Sequence, residues 1–257
     1  MAKVTASVAA PPQSRKMTER SIHAERSFYV VAACIVLIVT VTGFRFFILH
    51  GKAFPGTDIT RQIIPLVVVH GLAMFGWVSL FLVQSILIWN GNRRLHMVIG
   101  PAGAVLAAVI VVLGATMACL SVHFNPQSYQ PVGGARFFLA VMLGEMLAFG
   151  TFVAVGTVYR RRAEIHRPTM LLATIEITSA ALGRCPYISD LATVAPFYVV
   201  GPMLLFGAML FLLHWAMTRV ASRWFVIGYL GITAASLISV AVGRTALWSH
   251  VASVIVP

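Results

Sequence analysis

Gln62 to Trp89 reads QIIPLVVVHGLAMFGWVSLFLVQSILIW and runs straight into Asn90-Gly91-Asn92-Arg93-Arg94-Leu95-His96. The stretch contains no Asp, Glu, Lys or Arg. A bilayer core about 30 Å thick is crossed by roughly 20 apolar residues rising 1.5 Å each, so the run is long enough to span a membrane as a helix. The Asn-Gly turn and the arginine pair end it. This segment predicts a membrane helix that stops at a charged face, and the rest of the chain is read outward from it.

The same ruler finds seven such segments: Phe28 to Leu49, Gln62 to Trp89, Met97 to Val122, Phe137 to Tyr159, Pro168 to Ile188, Pro196 to Met217 and Trp224 to Leu247. Gly and Pro inside them are no objection, because neighbouring helices re-satisfy freed backbone groups and small residues permit close packing. Composition agrees: of 257 residues 59% are hydrophobic and 10% charged. A soluble domain carries about a quarter charged residues, so an ordinary cytosolic globule is excluded. The expected fold is an all-α, polytopic membrane bundle of about seven transmembrane helices over residues 28–257, preceded by a polar tail over residues 1–27. A cleavable signal peptide is disfavoured, because the charged leader is long and no small-x-small site follows Leu49.

The connecting segments alternate in charge. Lys3, Arg15, Lys16, Arg20 and Arg26 precede the first span; Arg93 and Arg94 follow the second; Arg160, Arg161, Arg162 and Arg167 follow the fourth; Arg219 and Arg223 follow the sixth. The opposite connections hold Lys52, Arg61 and Arg136. Positive residues are retained on the cytoplasmic side, so the expected amino terminus is inside and the carboxyl terminus outside a bacterial inner membrane. The net charge of +12 is thereby a topology signal, with thirteen of the nineteen basic residues at one set of span ends. With no soluble basic domain to form a groove, nucleic acid is not an expected partner. The lipid bilayer is, together with other membrane subunits.

Ionisable groups inside apolar runs cost several kcal/mol unless paired or near an interface, which makes them the functional pointers of such a chain. His70 and Glu145 each lie eight residues into an inward-going helix, about 12 Å below the outer boundary, and are expected to meet. Glu176 lies near mid-membrane on the fifth span and Arg184 two turns further out, with Glu176 and Asp190 as its candidate partners. His70, Glu145, Glu176 and Arg184 thus form a candidate polar pocket suited to a proton relay or an anion; the plain alternative is that they only specify helix packing. Near the inner face stand His96, His166 and His214, candidate ligands for a b-type haem, which takes imidazoles facing across the iron. Arg93-Arg94-Leu95-His96 and Ala163-Glu164-Ile165-His166 repeat at an offset of 70, each leading into an outward-going helix. Trp77, two turns after His70, reads as core packing before pocket lining.

No phosphate-binding loop, dinucleotide fingerprint, HExxH or GxSxG is present, so no catalytic residue is assigned. Cys34, Cys119 and Cys185 lack metal-ligand spacing and read as buried thiols. His70-Gly71, Trp77, Gln84, Arg94-Leu95-His96 with Gly100, and His166-Arg167-Pro168-Thr169-Met170-Leu171-Leu172-Ala173 with Arg184 resemble a widespread group of bacterial multi-pass membrane proteins sharing an HG start, an LHxxxG turn and an HRxxMLLA turn. The resemblance covers residues 60–190 and implies a membrane bundle, with no activity to carry over. The HRxxM turn is also distantly similar to membrane proteins of haem-copper oxidase assembly and haem handling, which implies a haem-associated or accessory role. The other expectation is a proton-linked small-solute carrier built on the polar pocket. The sequence shows neither an inverted repeat nor a broken helix, and both features mark carriers. A purely structural subunit of a larger membrane complex is the third reading.

Overall fold

The structure is a computed structural model that describes residues 19–54, 57–185 and 200–256. In chain order its helices are α1 (Glu19–Gly43), α2 (Arg45–His50), α3 (Ile64–Trp89), α4 (Arg93–Phe124), α5 (Ala135–Val158), α6 (Ala163–Glu176), α7 (Ser179–Leu182), α8 (Gly201–Thr218), α9 (Arg223–Gly243) and α10 (Ala246–Ala252). Between α2 and α3 a short hairpin pairs β1 (Lys52–Phe54) antiparallel with β2 (Thr57–Asp58). Six helices, α1, α3, α4, α5, α8 and α9, are long and apolar enough to cross a membrane. The protein is a helical, multi-pass membrane protein.

Local chemistry sets the helix ends. α4 starts at Arg93 and not at Met97, because the Asn92 side chain accepts a hydrogen bond from the Leu95 amide at 3.1 Å and satisfies one of the free first-turn donors. Ser222 does the same for α9 through the Phe225 amide at 3.3 Å. The first expected span begins earlier, at Glu19, and is divided at Phe44 into α1 and α2. Gly43 explains where α1 can end: a Cβ on it would collide with the backbone carbonyl of Ala181, so α1 and α7 meet backbone to backbone.

The fifth expected span, Pro168 to Ile188, is not one continuous helix. α6 ends at Glu176, Ile177 and Thr178 turn, and α7 takes up the chain for one turn. The Thr178 hydroxyl donates to the Ile175 carbonyl and so competes with the backbone ladder at the break. Ile188 and Pro196, which bound the expected fifth and sixth spans, lie outside the described residues.

α5 packs against α4, α6 and α9, and α1 against α3 and α8. The shared core joins Phe28, Trp77, Ile110, Phe149, Leu171, Met203, Leu210 and Phe225. Small residues allow the closest contacts: Gly144 of α5 sits on Ser239 of α9, and Gly243 of α9 on the Phe137 backbone. The outward faces are apolar too, with Leu72 67%, Val105 65% and Leu147 72% exposed, the pattern of a surface that meets hydrocarbon.

Tertiary contacts tie the basic turns to one end of the bundle. The Trp89 indole donates to the Ser27 hydroxyl at 3.2 Å. Arg167 pairs with Glu25 at 3.0 Å and Arg223 reaches Glu164 at 3.9 Å. The start of α1 and the α3–α4, α5–α6 and α8–α9 turns therefore share a basic end. At the far end, Trp248 of α10 donates its indole N–H to the Arg136 carbonyl at 2.7 Å and His123 bonds the Ile255 carbonyl at 2.8 Å.

Candidate functional site

Two carboxyl side chains come near each other where α6 breaks. Glu176 is the last residue of α6 and only 1% exposed; Glu145, half-buried on α5, lies close enough for the two charges to act on each other. The Ser179 hydroxyl at the start of α7 is within hydrogen-bonding reach of Glu145. Among the described residues the Glu176 Oε2 oxygen has no hydrogen-bond partner, and neither carboxylate forms an ion pair. A buried ionised pair without a cation is strongly opposed by desolvation and mutual repulsion, so a proton or a positive ligand is the natural complement of this arrangement.

No hydrogen bond or ion pair joins His70 to Glu145 among the described residues. His70 is half-buried on α3 and turns to α4, where its Cε1 lies 3.4 Å from the position a Cβ on Gly114 would take, beside the Met146 side chain of α5. Its Nδ1 is buried without a partner. Arg184, just past α7, donates to the Ala180 carbonyl at 2.8 Å and lies over the Phe44 ring, 5.2 Å from its centroid. No ion pair joins Arg184 to Glu176 among the described residues, and Asp190 lies outside them. Trp77 belongs to the core: 2% exposed, it donates to Thr174 Oγ1 at 3.2 Å and stands edge-on to Phe149 at 5.1 Å.

Of the three histidines read as haem ligands, two come together. The rings of His96 at the start of α4 and His166 near the start of α6 stand 6.2 Å apart between centroids, their planes at 81°. The His166 Nδ1 bonds the Gly156 carbonyl at 2.8 Å, and the Gln84 carbonyl lies against the His96 ring. His214 takes another place. It is 3% exposed between the edges of Phe28 and Phe225, at 4.8 and 5.9 Å, and lines a cleft of about 300 Å³ with Glu25, Tyr29 and Glu164 at the basic end. Among the described residues no three His, Cys, Asp or Glu side chains converge on one point. Of the three expected haem ligands, His96 and His166 are thus the pair brought together, and His214 stands apart.

Sequence reasoning missed Ser179, the polar neighbour of the carboxyl pair, and the carbonyl groups that hold the two imidazoles. Thr174, Thr178 and Ser179 around Glu176 were the available signal for the break. Cys34, Cys119 and Cys185 are free thiols. Compared with protein-family models, curated proteins and solved structures, the chain matches none.

Proposed function

We propose that the protein is a proton-linked carrier of a small solute in a bacterial inner membrane, with Glu145 and Glu176 as its proton site. The observation that carries this reading is the carboxyl pair seated at the α6–α7 break. Discontinuous membrane helices are where carriers put their coupling ions, because the freed backbone and the bend combine a polar site with a place to move. Uptake of one proton on the pair removes the repulsion between two carboxylates and lets α6 and α7 close on α5. Release restores the repulsion and opens them. His70, whose ring lies with the Met146 side chain beside Gly114, is the group we assign to proton exchange with the far end.

The orientation follows from the same reading. The basic end, which gathers Arg26, Arg93, Arg94, Arg160, Arg161, Arg162, Arg219 and Arg223, faces the cytoplasm by the positive-inside rule. The α5–α6 and α8–α9 turns both lie at that end, joined through Arg223 and Glu164. On this reading the chain crosses once more between Ala163 and Gly201, with α6 and α7 as part of a seventh crossing. The amino terminus is then inside and the carboxyl terminus outside.

An infrared pH titration of the purified protein tests the proton site without knowledge of the solute. The carbonyl band of a protonated buried carboxyl is expected in the wild type, to shift in its pH dependence in Glu145→Gln and in Glu176→Gln, since either change dissolves the pair, and to vanish in the double variant. A spectrum that keeps the band in the double variant would overturn the assignment. In proteoliposomes, solute-driven proton uptake should fall at least tenfold in each single variant.

A further inference from the structure

The paired imidazoles at the basic end take no part in the carboxyl pair and keep ring nitrogens that the helix packing does not use, and we infer that His96, His166 and Gln84 form a binding site for a first-row transition-metal ion. The ring nitrogens carry the argument. His166 Nδ1 lies 2.8 Å from the Gly156 carbonyl, which can only accept, so Nδ1 holds the proton and Nε2 keeps its lone pair. The His96 Nδ1 is buried and without a hydrogen-bond partner, which leaves it open to a metal ion. The His166 ring is fixed by a backbone carbonyl on one nitrogen and left ligating on the other, the arrangement that orients metal-binding histidines.

Distance and ligand type agree. Metal-to-imidazole bonds of about 2 Å on two opposed rings require ring centroids roughly 6 Å apart, and the observed separation is 6.2 Å. The Gln84 side-chain oxygen, on the same residue whose carbonyl touches His96, is also buried without a partner. Three unsatisfied or lone-pair-bearing atoms on neighbouring turns of three helices are individually costly and collectively explained by a cation. Two nitrogens with an amide oxygen suit Zn(II), Cu(II) or Ni(II). They suit haem iron less, because the macrocycle already fills the equatorial positions and leaves the amide oxygen nothing to bind. Arg167 stands beside both histidines, but its charge is offset by Glu25 at 3.0 Å.

The test uses the full chain purified in detergent without a polyhistidine tag and titrated with Cu(II) and, separately, Zn(II). One saturable equivalent is expected, with a Cu(II) electron paramagnetic resonance signal coupled to two imidazole nitrogens. His96→Ala and His166→Ala should each weaken binding at least about tenfold, Gln84→Leu less, and His123→Ala not at all. Elution volume and melting temperature without metal identify any variant that fails to fold. In that case the wild-type resonance decides alone: coupling to one imidazole or none overturns the site. So do the absence of saturable binding, equal binding by the folded His96→Ala and His166→Ala variants, and a bis-imidazole Soret band on mixing with haemin that is lost in both.

Discussion

Gly43 shows how much of this bundle rests on single backbone contacts. Glycine inside a helix costs up to about 1 kcal/mol relative to alanine, so Gly→Ala should stabilise a helix wherever space allows. At Gly100 of α4 nothing lies within 4 Å of a new Cβ, whereas at Gly43 the Cβ meets the carbonyl carbon and oxygen of Ala181, which cannot rotate away. Gly43→Ala must push α1 off α7, and overpacking of this kind costs about 1 to 3 kcal/mol. The expected outcome is a lower melting temperature in detergent for Gly43→Ala and an equal or higher one for Gly100→Ala. Equal losses in the two variants would mean that the approach of α1 to α7 contributes nothing to stability. The contact also matters for the carboxyl pair, because α7 carries Ser179 and α1 is the strut behind it.

At the scale of the elements, the arginines do more than orient the chain. Arg167 and Glu25 have side chains 24% and 20% exposed and join α6 to α1 at 3.0 Å, so breaking one partner leaves the other charge poorly solvated. A double-mutant cycle with Glu25→Gln and Arg167→Gln should give a coupling of about 0.5 to 3 kcal/mol, read from chemical or thermal unfolding in detergent. A double variant as unstable as the sum of the singles would show no coupling. The apolar runs from Phe28 onward make six of the helices legible in the sequence, because length and lack of charge decide whether a segment can cross hydrocarbon. The break after Glu176 escapes such reading: Leu171, Leu172, Ile175 and Ile177 keep the stretch apolar on average, while at the break the Thr178 hydroxyl bonds the Ile175 carbonyl. The histidines were half legible. The turn repeated at an offset of 70 already sets His96 and His166 at equivalent places on parallel helices, yet the separation of His214 depends on helix rotation, which Phe28 and Phe225 decide.

For the whole molecule the parity of crossings is the property on which the carrier reading depends. The α5–α6 turn lies at the basic end with α1 and α9, and α10 lies at the far end beside Arg136 and His123. If α6 and α7 complete a crossing, those two places are on opposite sides of the membrane; if they only dip into it, the chain crosses six times and the carboxyl pair loses access from one side. Arg161 and Val254 are exposed reporters of the two places, Val254 at 88%. In a chain whose native cysteines are replaced by alanine, Arg161→Cys should react with a membrane-impermeant thiol reagent only in inverted vesicles, and Val254→Cys only in right-side-out ones. Labelling of both from the same side would remove the seventh crossing, and with it the alternating access that a proton-linked carrier needs. Opposite labelling, combined with loss of the carboxyl band in the Glu145→Gln and Glu176→Gln double variant, would place a protonatable pair at the turning point of a helix that reaches both sides.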